Sequence, residues 1–349
     1  MSRSLSLISR FTATGSAVAA LLVAACAEPT SAPTRAISPG AASNTQAPEL
    51  NNQPGQVHYF HVRSWDPEGD ASNGAGGGGS LNSPISYHGG PVLQSGTKVA
   101  AVYWASSPIF AGGPASGTHG AGSSDGSLVG FFLRNLGGSR YFNINTTYTD
   151  GSGRAIVNSV AYTQYWANNT SAPSGTQSVS DAQMVAMLQS GFNSGSLTYD
   201  ASTVYAIFTS GKVNLGGGFG TQYCAYHTHG TVTINGVSRT VLYAAMPYNY
   251  AYPSACTSGL KAANGTADPG ADYEVNTLGH EIEEATTDML GTAWFDRRGY
   301  ENADKCAWTW GTTYTTAAGG AANMNLGGKD FLVQRNWVNA GSGGCAVSY

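Results

Sequence analysis

The sequence predicts an α/β fold: a single domain with a central mixed sheet flanked by helices, loop-rich and tied by two disulfides. Three observations carry this. Apolar runs of strand length, rich in β-branched and aromatic residues, alternate with helix-patterned segments through the middle of the chain. Glycine is abundant, with 47 residues in 349, while only 10% of residues are charged. Four cysteines fall in the C-terminal half, an even count that suits an oxidising compartment.

The elements follow in order. "VHYFHV" (57–62) opens the folded part, and "GAGGGGS" (74–80) is a loop. "KVAAVYW" (98–104) reads as a buried strand. "GSLVGFFLRNLG" (126–137) reads as a short helix stopping at Gly137. "RYFNINTTYTD" (140–150) and "AIVNSVAYTQYW" (155–166) alternate as strands do. "SDAQMVAMLQSGF" (180–192) starts with a capping box, Ser180 with Gln183, and is expected to end at Gly191. "STVYAIFTS" (202–210) is the clearest strand, and 231–248 reads as a hairpin turning on Asn235-Gly236. One further strand, "DFLVQRNWV" (330–338), lies in the Gly-rich C-terminal segment.

The N-terminus has the layout of an export signal. Arg3 and Arg10 precede an apolar, Ala-rich run too short for a good membrane span, and "LVAAC" ends at Cys26. That run resembles a bacterial lipobox, which implies a lipoprotein signal peptide over 1–25, lipidation of Cys26 and a membrane anchor through that lipid. Ala27 after the cysteine, rather than Asp, points to the outer membrane. Simple cleavage nearby, giving a secreted protein, is the alternative. Residues 26–56, rich in Ala, Pro and Ser, read as a flexible tether, and 57–349 as the domain. Removal of 1–25 leaves 14 basic against 20 acidic residues, a net charge near −6. With no basic tract, the composition argues against nucleic acid as a partner.

Cys224, Cys256, Cys306 and Cys345 allow three pairings. Cys224–Cys256 with Cys306–Cys345 is favoured, because each bond closes a local loop. A zinc-thiolate site is disfavoured, because no C-x-x-C spacing is present.

The chemistry concentrates in "LGHEIEEATTD" (278–288). At ~100° per residue, Glu284 falls ~40° from His280, and Glu281 ~100° from it. Val275, Leu278, Ile282, Ala285 and Met289 gather on the opposite side. One face therefore carries an imidazole and a carboxylate one turn apart, able to grip one ion. Seven acids fall within 281–304 of a chain poor in charge. The bland reading is a helix whose acids face solvent.

This segment resembles the H-E-x-x-H helix of zincin metallopeptidases. The resemblance implies His280 as a ligand, Glu281 as the general base and a peptide or cell-envelope substrate. Glu284 stands where the second His of that motif would be. A carboxylate is a permissible zinc ligand, but its charge also suits Ca²⁺ or Mn²⁺. Gluzincins take a third ligand from a later acid, and Glu301 and Asp304 resemble that arrangement, with Asp296 and Asp288 behind them. A minority reading is glycosidase chemistry by Glu281 with Glu301, with Trp294, Trp308, Trp310 and Trp337 stacking on sugars.

"YCAYHTHGTV" (223–232) adds His227 and His229, which face one way if the chain is extended. His229 is the secondary ligand candidate, and His227 reads as a polar loop residue beside a disulfide. "YHGGPVL" (87–93), the strand after it, and the Cys224, Thr228, His229, Gly230 pattern resemble the phosphate-induced protein/EXORDIUM family over roughly 85–290. That resemblance implies the fold and export, and offers a non-enzymatic alternative: a cell-surface binding protein whose acidic cluster is structural.

Overall fold

The computed structural model describes residues 57–64 and 84–349. The expected signal peptide, Cys26, the tether and the 74–80 loop lie outside these residues. Seven strands form the central sheet: β1 (His58–His61), β2 (Thr97–Tyr103), β3 (His119–Ala121), β4 (Val160–Trp166), β5 (Thr203–Phe208), β6 (Tyr223–Ile234) and β7 (Val237–Met246). Their order is β1-β6-β7-β5-β2-β4-β3. The inner pairs β7/β5, β5/β2 and β2/β4 are parallel. Both margins, β1/β6/β7 and β4/β3, are antiparallel. The sheet is therefore mixed, as expected.

Strand alternation decides the layers. Val99, Ala101, Tyr103, Ala206, Phe208, Ala225 and Ala244 face α1 (Leu128–Leu136) and α3 (Pro269–Thr287). Their neighbours Ala100, Val102, Ile207, Tyr226 and Tyr243 face α2 (Asp181–Ser194). Helices thus cover both faces, and the inner strands are apolar on both sides, as parallel strands covered by helices must be. No helix among the described residues is long and apolar enough to cross a membrane.

Local signals behave as their chemistry demands. Ser127 caps α1 by accepting from Gly130 N. Ser180 and Gln183 form the capping box of α2. Asn235 and Gly236 both take positive φ, 51° and 77°, which the two-residue β6–β7 turn requires. The favoured disulfides are present: Cys224–Cys256, which ties β6 to the one-turn helix Pro253–Cys256, and Cys306–Cys345.

Three expectations are corrected. The run 140–150 is not a strand but contains a 3-10 helix, Phe142–Thr147. Thr146 and Thr147 hydroxyls donate to the carbonyls of Asn143 and Ile144, local bonds that compete with sheet pairing. Helix α2 passes Gly191 and ends at Gly195 in the left-handed conformation. Gly191 is a close approach instead: a Cβ there would lie 2.7 Å from the Trp166 ring and 2.8 Å from Leu197. The single strand expected over 330–338 is two, Lys329–Phe331 and Asn336–Val338. Between them the amides of Val333, Gln334 and Arg335 donate to Asn323, Asn276 and the Thr309 carbonyl, not to a neighbouring strand.

Candidate metal centre

Helix α3 begins at Asp268, whose side chain accepts from Ala271 N, with Pro269 in the first turn. Both choices suit a helix start, because the first amides lack intrahelical partners. Val275, Leu278, Ile282 and Ala285 pack into the core beneath the sheet. The opposite face is not wet. His280, Glu281, Glu283 and Glu284 are all 0% exposed, which removes the reading of an ordinary solvent-facing acidic helix. The cover comes from β6, from residues 301–306 and from an aromatic wall. Phe60 of β1 sits on the His280 ring with centroids 4.1 Å apart, and Trp308 stacks on Phe60 at 4.5 Å.

Two groups of donors converge there. In the first, His280 Nε2 lies 3.1 Å from Glu284 Oε2 and 3.4 Å from Asp304 Oδ1. In the second, His227 Nδ1 lies 3.3 Å from Glu281 Oε2 and 3.7 Å from Glu284 Oε2. The donor atoms of each group fall within 4.8 Å of one another, and Glu284 belongs to both. Donors around a zinc-sized ion at about 2.0–2.2 Å stand roughly 3 to 3.5 Å apart, so the first group has ligand spacing. His280 Nε2, Glu284 Oε2 and Glu281 Oε1 have no partner at hydrogen-bond geometry among the described residues although all are buried. Close approach without hydrogen-bond alignment is what a shared cation demands. These buried groups could hold a metal ion.

The segment 301–306 is built to present its acid. Asp304 N donates to Glu284 Oε1 at 2.8 Å, and Glu301 N donates to Asp304 Oδ2 at 3.3 Å. Gln334 Nε2 donates to Ala303 O and Trp337 N to Asn302 O. The Cys306–Cys345 bond anchors the end of the segment.

The electrostatics follow from burial. Burial pushes the Glu281 carboxyl well above the usual carboxylate range; His280 pulls it back, and Glu284 and Asp304 push it further up. Glu284 is raised to about 7, by burial first and then Asp304, against the pull of His280. Burial together with Glu284, Asp288, Asp304 and Glu281 raises Glu301 as well. For His280 burial works downward, but Glu284, Asp304 and Glu281 outweigh it and hold the imidazole well above its ordinary value. In a dry volume each neighbouring carboxylate makes the next harder to ionise.

The expected residues divide clearly. His280, Glu281, Glu284 and Asp304 meet. Glu301 Oε2 lies 3.7 Å from His227 Nε2, on the far side of that ring from the second donor group. At that separation it is a charged neighbour of the ring rather than a direct hydrogen-bond partner. Asp288 instead caps the end of α3, accepting from Thr292 N and Ala293 N at 2.6 and 2.8 Å. Asp296 organises the next loop through Arg298 N and Tyr300 N, with Lys305 Nζ 3.4 Å away. His229 is partly buried and lies outside both groups. His227, read from sequence as a loop residue, is the histidine that arrives. It is 2% exposed and faces α3 from within β6. The signal was present: strand alternation puts residue 227 on the same face as core residue Ala225.

The fold and site define an α/β domain with a buried His/carboxylate centre. The chain matches no protein-family model, no curated protein and no solved structure.

Proposed function

We propose that this protein is an exported, metal-dependent hydrolase of metallopeptidase type. The observation that carries the reading is the convergence of His280 Nε2, Glu284 Oε2 and Asp304 Oδ1, from two separate segments, at ligand spacing. Zn²⁺ suits one imidazole and two carboxylates, and Mn²⁺ or Ca²⁺ suits the carboxylate-rich remainder. A divalent cation held there supplies positive charge that acidifies water and polarises a carbonyl. Glu281 is the general base: its carboxylate is buried next in sequence to His280 and serves to take a proton from water and return it to a leaving amine. His227 Nδ1, 3.3 Å from Glu281 Oε2, holds that carboxylate in place, and the Glu301 carboxylate lies beyond the opposite ring nitrogen. The two disulfides fit export to an oxidising compartment, and the lipobox-like start fits anchoring at the bacterial cell envelope.

Elemental analysis of the purified protein tests the centre. Stoichiometric metal, lost in His280→Ala, supports it; a metal-free and equally stable wild type overturns it. Hydrolysis of a peptide library, lost in Glu281→Gln, tests the enzyme.

One observation favours a second reading, a non-enzymatic cell-surface binding protein with a structural metal. All donors but Asp304, at 9%, are almost wholly enclosed, and structural metal sites are closed while catalytic ones keep an open position. Cobalt substitution separates the two. A solvent-exchangeable position on the cobalt supports the hydrolase, and a spectrum indifferent to added anions supports the structural site.

A further inference from the structure

The first donor group leaves over a second one. His227, Glu281 and Glu284 bring an imidazole nitrogen and two carboxylates within 4.8 Å of one another, all buried. We infer that these three residues form a second divalent-cation position, joined to the first through the Glu284 carboxylate. The inference rests on the metal centre proposed above and extends it: an ion in the second position takes Glu281 as a ligand.

Three independent observations point there. The first is geometric. His227 Nδ1 is 3.3 Å from Glu281 Oε2 and 3.7 Å from Glu284 Oε2, close to the separations in the first group. Glu284 Oε1 is committed to Asp304 N, so it is Oε2 that both groups share. Pairs of metals about 3.5–4 Å apart commonly share a ligand in this way. The second is an orphan atom: Glu284 Oε2, 3.7 Å from His227 Nδ1, is fully buried and has no hydrogen-bond partner among the described residues. The third is charge and support. Glu281, Glu284, Glu301 and Asp304 gather around the two imidazoles almost wholly enclosed, more carboxylates than one divalent ion balances. The Glu301 carboxylate, 3.7 Å from His227 Nε2, stands where the outer partner of a ligating histidine belongs.

The test is a count of ions. Full-length protein is stripped with chelator and dialysed against limiting and then excess Mn²⁺. Bound metal is measured by elemental analysis and spin coupling by electron paramagnetic resonance, with circular dichroism to verify folding. The expected result is one ion per chain at limiting metal and two at excess, with a coupled pair signal only at excess. His227→Gln and, independently, the near-isosteric Glu281→Gln should each hold one ion at any concentration, with no coupled signal. Glu301→Gln should weaken the second ion by about 10–100-fold and spare the first. A wild type that saturates at one ion, or a folded His227→Gln that still takes up two, overturns the second position while leaving the first intact. A wild type that binds none overturns the metal centre and this inference together.

Discussion

His280 Nε2 and Glu284 Oε2 stand 3.1 Å apart, one helical turn from each other, both sealed from solvent and not aligned as a hydrogen bond. A helix buries such a pair at high cost unless something compensates it.

Chelation should destabilise the protein. An ion bound only by the native state adds RT ln(1 + [L]/Kd), about 2.7 kcal/mol at a hundredfold excess over Kd. Melting followed by calorimetry should show Tm falling with chelator and recovering with added metal. His280→Ala should melt low in both conditions and recover little when metal is restored at one equivalent.

Glu281→Gln should separate binding from chemistry. Glutamine keeps the shape but cannot take a proton. The first ion should stay bound, while peptide hydrolysis falls by roughly 10²–10⁴-fold. Metal content and turnover measured on the same sample decide the matter: loss of the first ion as well would make Glu281 a ligand of it.

The Cys306–Cys345 bond should matter to the centre as well as to the fold. It anchors the segment that delivers Asp304. Replacing both cysteines by serine should cost about 2–4 kcal/mol in denaturant unfolding. It should also weaken metal affinity, measured by competition with a chromophoric chelator. Unchanged affinity would show that 301–306 is held by its hydrogen bonds alone.

Glu274 gives a pH signature away from the metal. It is 0% exposed, its only side-chain hydrogen bond among the described residues comes from Asn249 N, and burial raises it from an ordinary 4.5 to about 8. Below pH 4.5 both folded and unfolded chains hold the proton, and nothing is lost. As pH rises from 4.5 to 8 the unfolded chain ionises first, so native stability falls, and above 8 the loss is complete. Glu274→Gln should therefore gain on wild type across that window, by roughly 1 kcal/mol or more at pH 8 in urea titrations. A difference that does not change with pH would refute the assignment.

Much of the architecture was legible because its signals are local. The Ser180 capping box, the Asn235-Gly236 turn and the apolar run at 98–104 each act within a few residues. The run 140–150 misled because its Thr side chains satisfy nearby carbonyls, a choice that alternation does not reveal. Gly191 misled because a glycine that ends a helix and one that admits a Trp ring read alike.

For the site, the sequence by itself determined that His280 and Glu284 share a helix face, since i and i+4 must align on any α-helix, and it marked the four cysteines as two local loops. Only the tertiary structure decided that this face is buried, that Asp304 reaches it while Asp288 and Asp296 do not, and that His227 arrives from β6, 54 residues before Glu281. The physical reason is range. Backbone geometry fixes neighbours one turn apart, whereas which distant strand closes over a helix is settled by the packing of the whole sheet.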